Sequence, residues 1–150
     1  MTGLPGSVLF VCNHNAVRSP MAEGWMKRYF ARHVFVDSAG VRRGEGPDPF
    51  MIAAMDEIGI DMARHKPKTI DDLEEEAEAF DLVITLSPEA QHRALELTRF
   101  AALEVEYWMT FDPTSVEGSR ETMLEAYRQV RDHIRDRIRE RFPLDPTPAG

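Results

Sequence analysis

The chain contains one cysteine, Cys12, and no long apolar run. A single cysteine forms no internal disulfide, so the stability of the fold must come from a packed core. No stretch reaches the roughly 18 apolar residues that cross a bilayer, and the amino terminus lacks the basic segment and the long apolar run of a secretion signal. We therefore expect a cytoplasmic protein without a membrane partner, in which Cys12 remains a free thiol.

Positive charge is scarce as well. The chain has 18 lysines and arginines against 26 aspartates and glutamates, which gives a formal net charge of -8. Non-specific binding to nucleic acid requires a basic surface, so the composition predicts no nucleic-acid partner. A length of 150 residues fits one domain, and we expect a single domain over residues 1–150.

Short apolar runs alternate with helical patterns along the chain. The runs cover residues 7–12, 34–40, 80–87 and 101–108 and predict strands. Between them lie helical patterns; Asp48 followed by Pro49 is typical of a helix start, and the longest pattern follows residue 119. This alternation predicts an α/β fold with a four-stranded parallel sheet and helices on both faces. The proline-rich residues 143–150 are predicted to be a loose tail.

The first predicted strand ends at Cys12, and a helix is predicted to begin near Arg18 and Ser19. The unpaired amides and the dipole of a helix's first turn attract an anion, and a tight loop aims further amides at the same point. Arg18 adds a two-pronged donor that matches phosphate geometry. The same positive surroundings favour the thiolate form of Cys12. The pattern indicates a nucleophilic sulfur beside a bound phosphoryl group.

Other interpretations of these residues stay open at this point. Cys12 also fits a structural cysteine at the buried end of a strand. Ser19 followed by Pro20 is typical of a helix N-cap, a role that does not exclude a second one for its hydroxyl in the loop. Cys12 with His14 suggests metal binding, but two ligands do not make a site. The loop contains no glycine, which excludes a Walker-type nucleotide loop.

The stretch VCNHNAVRS, with VLF before it and PMAEG after it, resembles the low-molecular-weight protein tyrosine phosphatase family. The pattern is Cys-x5-Arg-Ser near the amino terminus. Further matches are SAG at residues 38–40, GID at residues 59–61, FDLVITL before a predicted helix, and an Asp-Pro pair before the last helix. The resemblance covers residues 7–141 and implies a hydrolase that acts through a cysteinyl-phosphate intermediate, with no metal and no cofactor.

The resemblance also implies a role for each residue of the loop. Cys12 is similar to the nucleophile of the family, and Arg18 to its clamp on the phosphate. Asn15 matches the asparagine that braces the loop, and Ser19 the hydroxyl that helps the sulfur leave. The phosphate-binding loop then comprises Asn13, His14, Asn15, Ala16, Val17, Arg18 and Ser19.

The family supplies its general acid as an aspartate next to proline, in the loop before the final helix. This chain has three Asp-Pro pairs, at Asp48, Asp112 and Asp145. Asp48 fits a helix cap, and Asp145 lies in the tail. Asp112 follows the last predicted strand, on the side of the sheet where ligands bind. We therefore expect Asp112 to be the acid, with a plain turn aspartate as the alternative.

The segment after the Asp-Pro pair departs from the phosphatases that act on phosphotyrosine. Those enzymes usually carry aromatic residues there, which line the wall for the substrate ring. This chain has Thr114 and Ser115 instead. Tyr107, Trp108 and Phe111 stand nearby as candidates for the same role, although aromatic residues at the end of a strand more often belong to a core.

A second departure favours a different chemistry. His14 before the loop asparagine, and the segment DPTSVEGS, are more similar to the arsenate reductases that share this fold. A reductase needs a second thiol to break its arsenic adduct, and with one cysteine that thiol must come from a small molecule or a partner protein. We expect hydrolysis of a phosphorylated protein or a small phosphomonoester, with reduction of arsenate by an external thiol donor as the alternative.

The charged residues around the predicted site leave two questions open. His14 tunes the thiolate, touches the substrate, or is simply an exposed loop histidine. Arg42, Arg43 and Lys66 to Lys68 either form a basic rim or are solvated.

Overall fold

The computed structural model describes residues 4–99 and 101–143. Four strands form one sheet: β1 (Ser7–Cys12), β2 (Phe35–Gly40), β3 (Leu82–Thr85) and β4 (Glu104–Tyr107). Their spatial order is β2-β1-β3-β4, and each neighbouring pair is parallel. The chain places β2 on one side of β1, and β3 and β4 on the other side. The topological switch point therefore lies between β1 and β3, and the carboxyl end of β1 borders the crevice where ligands of such sheets bind. The predicted fold class is confirmed.

The helices of the described residues follow the predicted alternation. They are α1 (Arg18–Phe30), α2 (Pro49–Asp56), α3 (Ile70–Leu73), α4 (Glu75–Glu78), α5 (Pro88–Leu97) and α6 (Arg120–Arg141), with a 3-10 turn at Pro113–Ser115. Asp48 caps α2 as predicted, because its carboxylate accepts from the amides of residues 50 and 51. The acidic segment 71–80 does not form one helix: it breaks at Glu74, whose φ of 52° ends α3 before α4 begins.

The side chains of β1 alternate between two hydrophobic cores, one on each face of the sheet. Val8 and Phe10 belong to the core that α1, α2 and α6 cover. Leu9 and Val11 belong to the core under α3, α4 and α5. A strand that is buried on both faces reads as a continuous apolar run, as VLFV does in this sequence.

Two further expectations are a loose carboxyl-terminal tail and the lack of a membrane-spanning segment. Pro143 is exposed, and the rest of the predicted tail, residues 144–150, lies outside the described residues. Among the described residues, no helix has both the length and the apolar character that a bilayer span requires.

Candidate active site

Residues 13–17 form a tight loop between β1 and α1. The backbone carbonyl groups of residues 12–16 point away from the loop and accept hydrogen bonds from neighbouring segments. The carbonyl oxygens of residues 12, 13 and 14 accept from the amides of residues 41, 42 and 44 at 2.8–3.0 Å. The Ala16 carbonyl accepts from the Asp48 amide at 3.2 Å, and the Asn15 carbonyl accepts from Nε2 of His65 at 2.8 Å. In a trans peptide the next amide points the opposite way, and the described chain has no cis peptide. The amides of residues 13–17 therefore face the inside of the loop.

The sulfur of Cys12 lies on the floor of this loop. Its Sγ is 3.0 Å from the hydroxyl oxygen of Ser19 and accepts the Ser19 amide at 3.4 Å. Cys12 is only 2% exposed and packs against the core beneath it, yet it also lines the cleft above the loop. The low exposure therefore reflects enclosure by the loop, and the hydroxyl and the amide of Ser19 face the sulfur.

Asn15 holds the loop in shape. It is fully buried and adopts a left-handed backbone conformation with φ of 57°, which asparagine tolerates better than most residues. Its side-chain oxygen accepts from the Lys68 amide at 3.0 Å, and its side-chain nitrogen donates to the hydroxyls of Ser19 at 2.8 Å and Ser38 at 2.9 Å. Each polar group of the Asn15 side chain is thus satisfied inside the protein.

A relay of buried hydrogen bonds links Glu23 to the sulfur. The Ser38 hydroxyl donates to the Glu23 carboxylate at 2.5 Å, because a carboxylate only accepts. Ser38 must then accept from Asn15, which donates to Ser19 with its second hydrogen. The hydrogen of Ser19 is left for the sulfur of Cys12 or, at 3.3 Å, for the carbonyl of residue 39. The direction of the relay thus makes the Ser19 hydroxyl a donor toward the sulfur or toward this carbonyl.

The predicted N-cap role of Ser19 is wrong. Helix α1 begins at Arg18 with Val17 as its N-cap, and no side chain caps it. Ser19 lies inside the first turn, where its hydroxyl contacts Cys12 and Asn15. The Ser19 hydroxyl therefore does not cap the amides of the turn, and its own amide donates to the sulfur of Cys12.

Arg18 extends along the cleft and is only 6% exposed. Its Nη1 donates to the carbonyl of Thr110 at 3.1 Å and lies 3.5 Å from the carbonyl of Leu86. Its Nη2 is 3.8 Å from Oδ2 of Asp112. The other carboxylate oxygen of Asp112 accepts from the amide and the hydroxyl of Thr114 at 3.0 and 2.7 Å. Asp112 is therefore a turn aspartate that also faces Arg18, and its role as the acid stays a prediction.

The cleft above the loop has a volume of about 540 Å³. From the predicted loop it includes Cys12, His14, Ala16, Val17 and Arg18, and from other segments it includes Glu45, Pro47, Asp48, Asp112 and Thr114. His14 is exposed at its edge. Asn13, Asn15 and Ser19 do not line the cleft, and Asn13 instead accepts from the hydroxyl of Ser87 at 2.6 Å. Asp145 lies outside the described residues.

Aromatic side chains do not line this cleft. Trp108 is 3% exposed and packs against Phe10 in the core, with ring centroids 6.1 Å apart. Phe111 is 59% exposed and borders a different groove, together with Val130 of α6. Thr114 stands in the cleft itself. Among the described residues, no Phe, Tyr or Trp side chain therefore stands where the aromatic wall of the phosphotyrosine phosphatases would be.

None of the predicted rim residues Arg42, Arg43, Lys66 and Lys68 lines the cleft. Arg42 forms an ion pair with Glu89, and Arg43 with Asp72. The hydrogen bonds from Arg43 and from the Thr69 amide lower the pKa of Asp72. These exposed pairs belong to the surface, where ion pairs contribute little to stability.

Sequence reasoning gave no role to Glu23, His65 or Thr110. Glu23 had a readable signal, because it lies four residues after Ser19 and thus on the same face of α1. His65 and Thr110 come from distant segments, and no local pattern marks them. Among the described residues, no group of three or more His, Cys, Asp or Glu side chains is arranged to hold a metal ion.

Fold and site together define a parallel α/β protein in which a tight loop encloses a cysteine at the end of its first strand. The chain matches the model of the low molecular weight phosphotyrosine protein phosphatase family over residues 7–142. It is 37% identical over 132 residues to the arsenate reductase of Halalkalibacterium halodurans, which covers 88% of this chain and 91% of that protein. The chain belongs to the low-molecular-weight phosphotyrosine protein phosphatase family, as its loop sequence predicted.

Solved structures from both branches of the family superpose on this chain. The arsenate reductase from Archaeoglobus fulgidus is 27% identical, with a TM-score of 0.68 over 89% of this chain and 96% of that chain. A cysteine-to-serine mutant of the YwlE arginine phosphatase, with a phosphorylated active-site serine, is 28% identical, with a TM-score of 0.72 over 89% and 91%. Relatives of both activities thus support the assignment to this enzyme family.

Proposed function

We propose that this enzyme hydrolyses phosphomonoesters through a cysteinyl-phosphate intermediate on Cys12. One observation carries the proposal: Cys12, Arg18 and Asp112 line a single cleft together with residues 14, 16 and 17 of the loop. A nucleophile, an oxyanion site and an acid within reach of one another are the parts that phosphoryl transfer requires.

In the first step the Cys12 thiolate attacks phosphorus, and the bond from phosphorus to the leaving oxygen breaks. The amides of residues 13–17 and Arg18 stabilise the charge on the equatorial oxygens. Asp112 gives its proton to the leaving oxygen, for which its position at the cleft mouth and its 43% exposed side chain are suited.

In the second step water attacks the cysteinyl phosphate, and Asp112, now ionised, takes a proton from that water. The bond between sulfur and phosphorus breaks, and the thiolate of Cys12 leaves. The hydroxyl and the amide of Ser19 stabilise the returning charge on the sulfur, since they lie 3.0 and 3.4 Å from it. In this chemistry the protein groups do the electrostatic work without a metal or a cofactor.

The partners that fit this site are a phosphorylated protein or a small phosphomonoester. A cleft of about 540 Å³ without an aromatic wall favours neither a phenyl ring nor an alkyl group. The thiolate must stay reduced for turnover, which fits the cytoplasm as the compartment.

Reduction of arsenate is the second candidate, and the named relatives favour it. Cys12 would attack arsenate with loss of water, and an external thiol would then attack the sulfur of Cys12. That step releases arsenite and leaves a mixed disulfide, which a second thiol reduces. Two sulfurs thus supply the two electrons, and because the chain has one cysteine, both the attacking and the resolving thiol come from outside.

The two candidates are tested side by side on one preparation of the full chain. The wild type is assayed with p-nitrophenyl phosphate and a phosphotyrosine peptide without metal, and with arsenate plus a low-molecular-weight thiol. We expect ester hydrolysis by the wild type and none by Cys12→Ser. Asp112→Asn should slow alkyl phosphates far more than p-nitrophenyl phosphate, because only poor leaving groups need the acid.

Phosphate binding by Cys12→Ser is the matched control, since the oxyanion loop remains in this variant. A wild type that leaves every ester intact while it consumes arsenate and thiol would replace the hydrolase with the reductase. Equal slowing of good and poor leaving groups in Asp112→Asn would remove Asp112 from the role of acid.

A further inference from the structure

The guanidinium of Arg18 touches the segment between β4 and the 3-10 turn at two places. Its Nη1 donates to the carbonyl of Thr110 at 3.1 Å, and its Nη2 lies 3.8 Å from the carboxylate of Asp112, two residues further on. The first contact is a hydrogen bond, whereas 3.8 Å is too long for one. The Thr110 carbonyl is thus the shorter of the two contacts that connect Arg18 to this segment.

Thr110 has an unusual environment for a loop threonine. It is only 6% exposed, and its hydroxyl donates back to the carbonyl of Trp108 at 2.8 Å. Trp108 is itself fixed, because its amide donates to the carbonyl of Thr85 at 2.8 Å and its ring lies in the core. A bond from a hydroxyl to a carbonyl two residues earlier restricts the backbone between them. The direction of the Thr110 carbonyl is therefore tied to the end of the sheet.

The contact between Nη1 of Arg18 and the Thr110 carbonyl determines which N–H groups of the guanidinium remain available to an oxyanion. Arginine presents five N–H donors in a rigid plane, so a carbonyl that engages Nη1 also sets the orientation of the other donors. The edge with Nη2 carries no hydrogen bond to Asp112 at 3.8 Å, and it can turn two donors to an oxyanion in the cleft.

We propose that Thr110 is a positioning residue for Arg18: its hydroxyl fixes the carbonyl that orients the guanidinium for the oxyanion. Because Asp112 belongs to the same segment, Thr110 also sets the separation between the clamp and the acid. This inference rests on the proposed function only in taking the oxyanion to bind in this cleft. It assigns no contact between Thr110 and the substrate.

The test compares Thr110→Val, which keeps the shape and removes the hydroxyl, with Thr110→Ser, which keeps the hydroxyl. The probe is inorganic phosphate, with its dissociation constant measured by calorimetry on the full chain. We expect Thr110→Val to weaken phosphate binding about fivefold to tenfold, the usual effect of one lost hydrogen bond. The KM for p-nitrophenyl phosphate should rise by the same factor with a smaller change in kcat, and Thr110→Ser should stay within about twofold of the wild type.

Alkylation of Cys12 by iodoacetamide separates positioning from general damage. This neutral reagent makes no use of Arg18, so its rate in the absence of phosphate should be unchanged in Thr110→Val. If this variant fails to fold, Thr110→Ala removes the same hydroxyl with less bulk and is judged by the same measurements.

Wild-type affinity for phosphate in the hydroxyl-free variant would overturn the inference. So would a loss in Thr110→Ser as large as that in Thr110→Val. A wild type that binds phosphate but hydrolyses no ester would refute the hydrolase and leave this test intact, because its readout is binding.

Discussion

Gly40, the last residue of β2, lies directly against the loop that carries Cys12. A Cβ added at this position would lie 2.6 Å from the carbonyl oxygen of Arg42, 2.8 Å from the amide nitrogen of Asn15 and 2.9 Å from the carbonyl carbon of His14. All three are backbone atoms, so no change of side-chain rotamer relieves the contacts. Replacement of Gly40 by alanine must therefore move either the loop or the segment that holds its carbonyls.

The size of the movement follows from these distances. Ordinary van der Waals contact begins near 3.4 Å, so the closest contact is about 0.8 Å too short. Overpacking of this kind costs about 1–3 kcal/mol of unfolding free energy. A displacement of about 1 Å in groups that position a reaction lowers its rate by about 100-fold. We expect Gly40→Ala to lose about 1–3 kcal/mol of stability and about 10-fold to 100-fold in kcat/KM.

The assay is hydrolysis of p-nitrophenyl phosphate, with urea unfolding of the same samples. Gly46→Ala is the matched control, because Gly46 also lines the cleft but a Cβ there meets nothing within 4 Å. It should match the wild type in both measurements. If Gly40→Ala turned over as fast as Gly46→Ala while losing stability, the backbone contact would support the fold but not the shape of the oxyanion loop, and the reasoning would be refuted.

Two further predictions concern contacts between α6 and the two ends of α2. The hydroxyl of the buried Tyr127 donates to Asp48 at 2.8 Å, so Tyr127→Phe should lower the unfolding free energy by about 1.5–3 kcal/mol in urea titrations. Hydrogen bonds from Arg128, and then from Arg131, lower the pKa of Glu57 below its ordinary 4.5. Glu57→Gln should therefore be less stable than the wild type at pH 7 by about 1 kcal/mol or less, since its side chain is 36% exposed. The difference should begin to shrink as pH falls below 4.5 and be lost as pH falls through the lowered pKa of Glu57.

The sign of the pH effect follows from the direction of the shift. A carboxylate with a lowered pKa stabilises the folded state above its unfolded pKa, and this contribution is lost as pH falls through the folded value. Glu121→Gln is the control for Glu57, because its carboxylate pairs with the same Arg128 but is 74% exposed. A gap between Glu57→Gln and the wild type that persists at low pH would contradict the assigned ion pair. For Tyr127→Phe, unchanged stability would show that the Asp48 contact contributes nothing.

The strand, the loop and the first helix turn could be predicted because they lie within one short segment. Cys12 and Arg18 are joined by five residues, so backbone geometry alone brings them together. The cap at Asp48 is equally local. The N-cap prediction for Ser19 failed because its hydroxyl oxygen accepts from Asn15 and faces the sulfur of Cys12, and no amide of the helix donates to it. Local pattern predicts that a hydroxyl is present but not which groups it meets.

By itself, the sequence determined the parallel α/β class, the position of the thiol at a strand end, and the short loop between that strand and the first helix. Hydrophobic period and short-range spacing suffice for these features, since each arises within one element and its neighbour. Only the tertiary structure decided the order β2-β1-β3-β4, the burial of Trp108, the approach of Asp112 to Arg18, and the contacts of Ser38 and His65 with the loop. These depend on which distant segments the packing of the whole chain brings together, and no local periodicity encodes that choice.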